Sequence, residues 1–363
     1  MKKTLSLLAV LFLITASAFG DDADNYITNG NAKYTEGNWD GAIADFNKAI
    51  ELKPDDADAY FGRGAAKVGK GDLNGAIADY TKFLEIKPDN IESYIGRGMA
   101  KYAKGDLDGA IADFNKVIEL NPEDARAYIG RGAAKYGKGD LDGAITDLSK
   151  SIELRPNNAD SYYNRGAAKE DKRDLDGAIA DFNKSIELKI DYTSAYERRG
   201  SAKFSKGDWD GAITDYTIAI EIKPGDARDY YNRGFVKQAK GDWDGAITDF
   251  NKAIGLKTDY AEAYINRGFV KQAKGDWDSA ITDYNKGIEL KPDNDNAYCI
   301  RGDLKQNKGD LDGALADFNK AIGLNPNDFA IYYNRGNVEV AKRDWDSAIS
   351  DGTIDRTRLF QSG

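Results

Sequence analysis

The sequence predicts an all-α fold, a solenoid of antiparallel helix pairs, and three observations carry that expectation. A 34-residue period runs through the chain, plainest where ARDYYNRGFVKQAKGDWDGAITDFNKAIGLKTDY, beginning at Ala227, is followed without insertion by a near copy beginning at Ala261. Glycine and proline recur at set places in each period and divide it into two helix-length segments. Within those segments apolar residues return at the i, i+3, i+4, i+7 spacing of one buried helical face. A unit of this size cannot bury such a face alone, so stacked neighbours must complete the core.

The chain opens with MKKTLSLLAVLFLITASAFG, in which Lys2 and Lys3 precede an apolar run from Leu5 to Ile14 and small residues follow at Ala16, Ser17 and Ala18. This is the form of a secretory signal peptide over residues 1–20, with cleavage after Ala18 or Gly20. The apolar core falls short of the roughly 20 residues a membrane span needs. No later run reaches that length, so the mature chain is expected to have no membrane span. The expectation is an exported protein, periplasmic or secreted. A single cysteine, Cys299, fits an oxidising compartment.

From Ala23 the chain divides into ten units, beginning at Ala23, Ala57, Ile91, Ala125, Ala159, Thr193, Ala227, Ala261, Asp295 and Phe329, so the array is expected to fill residues 23–351. In the second unit the first helix is expected over Ala57–Lys70, ending at Gly71 as a left-handed cap. Asp72 then caps the second helix, whose buried face is Leu73, Ala76, Ile77, Tyr80, Phe83 and Leu84, and Pro88 stops it. Gly64 in the first helix and Ala76 in the second recur in every unit. A glycine inside a helix costs about 0.5–1 kcal/mol against alanine, so its recurrence predicts close approach of the two helices. The tenth unit is regular to Asp351. Residues 352–363 form an irregular tail, read either as a natural frayed end or as the trace of a longer array cut short.

The composition excludes several function classes. Formal net charge is −10, which argues against nucleic acid as a partner, since phosphate binding needs clustered Lys and Arg. Histidine is absent and there is one cysteine, which removes the usual zinc sets, Ser-His-Asp and Cys-His catalysis and any intramolecular disulfide. The Asp-x-Asp-Gly strings, such as Asp106 to Gly109, invite comparison with a calcium loop. That loop needs an oxygen ligand where Lys104 stands and a bidentate Glu where Asn115 stands, so helix capping is the better account. With the repeats filling the chain beyond the leader, neither an enzyme nor a cofactor is expected.

Tyr60, Gly64, Ala76, Tyr80, Phe83 and Pro88 stand in the second unit in the pattern of the tetratricopeptide repeat, and ten gapless copies make the resemblance specific. Two positions depart from it. Arginine occupies a place where a large apolar residue is usual (Arg63, Arg97, Arg131 and so on to Arg335), and lysine stands four residues later. Each unit also has an aspartate just before the second-helix aromatic, from Asp45 and Asp79 to Asp351, as a natural partner. The two ladders therefore read as scaffold, with a continuous anion-binding rail as the other reading.

The resemblance implies a right-handed superhelix in which the first helices line a concave groove, faced by residues one, four, eight and eleven places after each unit start. The candidate peptide-binding residues are Tyr34, Asp58, Phe61, Glu92, Tyr102, Arg126, Tyr136, Tyr163, Phe204, Arg228, Tyr231, Phe235, Glu262, Phe269, Asp303 and Tyr333. These positions vary between units while the scaffold does not. An acidic groove with aromatic anchors suits an extended peptide carrying basic and bulky apolar residues. The expected function is a non-enzymatic protein-interaction scaffold. The alternative is a structural subunit of a cell-envelope or secretion assembly, docked through its convex face or its ends. The sequence leaves the oligomeric state open.

Overall fold

The computed structural model of the chain describes residues 22–343, with 347 and 350–352. The expected leader of residues 1–20 and residues 353–363 of the expected tail lie outside the described residues. The described residues contain nineteen helices and no strand. They divide into two compact units, Met1–Ile190 and Asp191–Gly363.

The first compact unit holds five helix pairs: α1 Asp22–Thr35 with α2 Trp39–Leu52, α3 Ala57–Lys70 with α4 Leu73–Ile86, α5 Ile91–Lys104 with α6 Leu107–Leu120, α7 Ala125–Gly137 with α8 Leu141–Leu154, and α9 Ala159–Asp171 with α10 Leu175–Leu188. The second holds α11 Thr193–Ser205 with α12 Trp209–Ile222, α13 Ala227–Lys240 with α14 Trp243–Leu256, α15 Ala261–Ala273 with α16 Trp277–Leu290, α17 Asp295–Asn307 with α18 Leu311–Leu324, and α19 Phe329–Ala341.

The punctuation read in the sequence acts as expected. Gly71 takes φ of 90° at the end of α3, the left-handed region that glycine reaches without steric cost. The Asp72 carboxylate accepts the Gly75 backbone N–H and so satisfies an otherwise unpaired donor of α4. Asp106 does the same for Gly109, which accounts for the Asp-x-Asp-Gly strings as caps. In the fifth and tenth repeats Arg173 and Arg343 stand where the other eight have glycine, and they hold φ of 67° and 64°.

A second-helix aromatic forms the core of eight of the repeats, and buried Leu148 takes its place in the fourth. Phe46, Phe114, Phe182, Phe250 and Phe318 are buried, as are Tyr80, Tyr216 and Tyr284. Close glycines make room for them. A Cβ on Gly130 would lie 2.3 Å from Phe114 Cζ of the preceding repeat, and one on Gly64 would lie 3.3 Å from Tyr80 of its own repeat.

The two basic ladders converge on one carboxylate per repeat. Asp79 is buried; its Oδ2 accepts from Arg63 Nε at 2.9 Å and its Oδ1 from Nη2 at 2.6 Å, and Lys67 Nζ is 2.8 Å from Oδ2. Arg63 Nη1 reaches back to Asn47 Oδ1 of the preceding repeat at 2.7 Å, and its guanidinium lies over the Tyr60 ring. The same fork joins Arg97 to Asp113, Arg131 to Asp147 and Arg165 to Asp181 in the first compact unit, and Arg199 to Asp215, Arg233 to Asp249, Arg267 to Asp283 and Arg301 to Asp317 in the second. A bidentate guanidinium pair within a partly dry interface is strong and directional. The ladders are scaffold, and the charges an anion rail would need are spent inside the repeats.

Candidate functional site

Within each compact unit the first helices of successive repeats touch: α1 meets α3, α5 meets α7, and α13 meets α15. Side chains on these helices therefore form a shared surface, and the candidate residues fall on it in two different states.

In the first compact unit most of them are committed to packing. Tyr34 meets Trp39 edge-on with ring centroids 5.1 Å apart, and Phe61 does the same against Tyr80 and Phe83 at 5.6 and 5.7 Å. Tyr163 tilts against Phe182 at 6.0 Å, and Tyr102 packs over Ala110, Phe114 and Ala134. Tyr136 donates its hydroxyl to Asp171 Oδ2 of the next repeat at 2.6 Å. The charged candidates are paired too. Asp58 takes Lys87 at 2.9 Å, while Glu92 accepts both Nη groups of Arg126 at 2.9 and 2.7 Å. Arg126 also grips Asp124, and those two carboxylates hold its pKa well above the ordinary guanidinium value.

In the second compact unit the aromatics gather and remain accessible. Phe204 of α11 meets Phe235 of α13 edge-on at 5.7 Å, and Tyr231 stacks on Phe235 at 6.3 Å. Tyr231 also lies 5.9 Å from Phe250 and 5.0 Å from Tyr260, and its hydroxyl accepts from Asn266 Nδ2 at 2.9 Å. Burial raises the Tyr231 pKa; burial, then the neighbouring Tyr231 and Glu262, push Tyr260 up to about 12. Phe235 and Phe269 stay 38% and 42% exposed, and Tyr333 is exposed as well. Acidic groups border this face: Glu197 lies seven residues before Phe204 on α11, and Glu262 pairs with Lys291 at 3.2 Å. Arg228 bonds Asp226 and is largely exposed. Asp303, its pKa raised by burial, accepts from Asn334 Nδ2 at 3.1 Å.

Sequence reasoning missed Tyr260, Asn266 and Asp229. For Tyr260 and Asp229 a signal lay in the register. Tyr260 occupies a helix-cap position that is Asp or Asn in most repeats and makes no side-chain cap bond there. Asp229 occupies the third place of its repeat, which is alanine, serine, isoleucine or, in the first repeat, asparagine elsewhere.

This geometry defines a tandem array of antiparallel helix pairs whose outward-facing residues differ from repeat to repeat. Sequence models described as TPR repeat match residues 30–71, 98–139, 134–172, 200–241, 239–275, 271–309 and 302–341, and one described as Tetratricopeptide repeat matches 57–90 and 159–190. The chain belongs to the tetratricopeptide-repeat family, whose members are in general non-enzymatic scaffolds for protein–protein interaction. No curated protein matches it. Among solved structures it is similar to a tetratricopeptide repeat protein from Parabacteroides merdae, with 21% identity, 70% of this chain and 97% of that one covered, and a TM-score of 0.55. It is also similar to a chain of the APC/C hetero-tetramer Cut9-Hcn1, at 16% identity over 87% of this chain and 76% of that one, with a TM-score of 0.52. At these identities the likeness is one of fold. MamA is 33% identical over 46% of this chain and 96% of its own, with a TM-score of 0.43.

Proposed function

We propose that the chain is an exported scaffold that binds an extended peptide or protein segment, bearing basic and bulky apolar side chains, along its first helices. The observation that carries this reading is the aromatic face of Phe204, Tyr231, Phe235 and Tyr260, accessible at Phe235 and bordered by Glu197, Asp226 and Glu262. Rigid aromatic rings supply apolar contact at low entropic cost, and they dominate binding energy where they are fixed by their neighbours. Acidic groups around them favour lysine or arginine in the ligand and speed its encounter. Export rests on the leader read in residues 1–20.

The test is calorimetric titration of the mature chain with a panel of defined ten-residue peptides, either basic and aromatic, acidic and aromatic, or basic without apolar residues. The basic aromatic class is expected to bind best. Tyr231→Ala combined with Phe235→Ala is expected to weaken it at least ~10-fold, the cost of removing a hot-spot anchor. Equal affinity in wild type and double variant, or preference for the acidic class, overturns the proposal.

A further inference from the structure

Within each compact unit a junction between repeats brings the fifth residue of one first helix and the third residue of the next into one core cluster, Ile95 with Ala127 in the first unit and Ile265 with Ala297 in the second. The sequence keeps acidic residues out of both places at every junction but one. Between the sixth and seventh repeats the fifth residue is Glu197 and the third is Asp229. Two separate departures from the repeat thus meet at one point, beside Asp226, the residue that caps α13.

The carboxylate oxygens of Glu197, Asp226 and Asp229 lie within 4.8 Å of one another. Asp229 is 1% exposed, and its Oδ2 is buried with no hydrogen-bond partner. Asp215 and Asp249, buried in the sixth and seventh repeats, are each met by an arginine and a lysine. A buried carboxylate with an unpaired oxygen beside two other carboxylates is costly unless something positive joins them. Burial first, then the charges of Glu197 and Asp226, push Asp229 up to about 7, against the smaller opposing pull of Arg228 and Lys223. Burial also raises Glu197, which Arg228, Lys223 and Arg198 counter in part.

We infer that Glu197, Asp226 and Asp229 form a binding site for a hard divalent cation of the calcium class at the junction of the sixth and seventh repeats. Three oxygens within 4.8 Å of one another have a common centre at most about 2.8 Å from each, so a small inward turn of the side chains brings them to about 2.3–2.6 Å, the range calcium takes with carboxylates, with water filling out the shell. Asp226 now holds Arg228 Nη2 at 2.9 Å and Lys223 Nζ at 3.0 Å on Oδ2. Both basic side chains are mostly exposed, so they can turn to water and leave Oδ2 to the ion. The Oδ1 bond to the Arg228 backbone N–H, which caps the helix, need not break. The inference rests on the junction geometry, and two of its three carboxylates, Glu197 and Asp226, also border the aromatic face.

The experiment is titration of calcium chloride into the chelator-treated full chain, followed by isothermal calorimetry and thermal melting. One site per chain and a raised melting temperature are expected. Asp229→Asn and Glu197→Gln should each lower affinity on the order of 10-fold or more, because charge count sets affinity in such sites. Both substitutions keep shape and remove buried charge, so the variants should fold, which their circular dichroism will check. Absence of calcium binding to the wild-type chain overturns the inference. So does binding of undiminished affinity in the Glu197→Gln, Asp229→Asn double variant, which would place the ion on surface carboxylates.

Discussion

The junction between the third and fourth repeats and the junction between the sixth and seventh are built alike and used differently. In the first, Ile95 and Ala127 are buried with Val117 in an apolar cluster. Beside them Asp124 caps the next helix and is gripped by Arg126, as Asp226 is by Arg228 in the second. In the second, Glu197 and Asp229 replace the apolar pair. The arginines also differ. Arg126 is clamped from the preceding repeat by Glu92 and is 27% exposed; the residue in Glu92's place is Ser194, and Arg228 is 67% exposed. The lesson is that a repeat lattice whose stability is a sum of neighbour terms can give up one junction's apolar contact and still stand. What that junction gains is a charged, adaptable place next to the accessible aromatics.

The sharpest way to break this comparison is to move the acids. Ile95→Glu with Ala127→Asp places two carboxylates where the lattice offers no cation, since Arg126 is already taken by Glu92 and Asp124. The loss in the presence of chelator should be about 3–5 kcal/mol, the cost of buried charge left without a partner. It should appear as early hydrogen exchange in α5 and α7. A double variant as stable as the wild type would mean that the junctions are polar throughout and that Glu197 and Asp229 are nothing special.

The reverse exchange sharpens it. Asp229 has its pKa raised from 3.8 to about 7, so the native chain binds a proton that the unfolded chain has lost between those values. Stability linked to Asp229 is therefore present below about pH 4, falls as pH rises toward 7, and is flat above. Asp229→Asn removes that loss. In chelator its gain over wild type should be near zero at pH 4 and on the order of 1–2 kcal/mol at pH 8, after allowance for solvent screening. Melting curves at the two pH values check this, and a gain that does not change with pH would assign the effect to packing.

How much of this was legible in sequence follows from what the repeat dictates. The helix ends at Gly71 and Asp72 are local backbone choices, and they read directly. The partnership of Arg63 with Asp79 read almost as well, because both residues recur at one spacing inside one repeat. What did not read is contact across a junction, which depends on how far one first helix is staggered along the next. That stagger brings Glu92 to Arg126, so two residues expected as separate groove charges neutralise each other. It also joins Glu197 to Asp229 and Tyr231 to Tyr260 and Asn266. The family pattern says which positions face outward. It does not say which aromatic rings neighbours will cover, and that separates Phe61 from Phe235.

A departure from the lattice is not in itself a site, and Arg173 supplies the control. It stands in the first compact unit where every repeat but its own and the tenth, which has Arg343, places a left-handed glycine, and its φ of 67° is a conformation that costs a residue with a Cβ roughly 1 kcal/mol. Nothing about it resembles the acid junction: the departure is a single residue, at a helix end, with strain instead of a gathered set of charges. Arg173→Gly should therefore raise stability by about 0.5–1 kcal/mol, the strain relieved less the added entropy of the unfolded chain. It should leave peptide and calcium titrations as they are. If Arg173→Gly instead weakened either, departures would have to be weighed one by one, and the convergence of two at the sixth junction would lose its force.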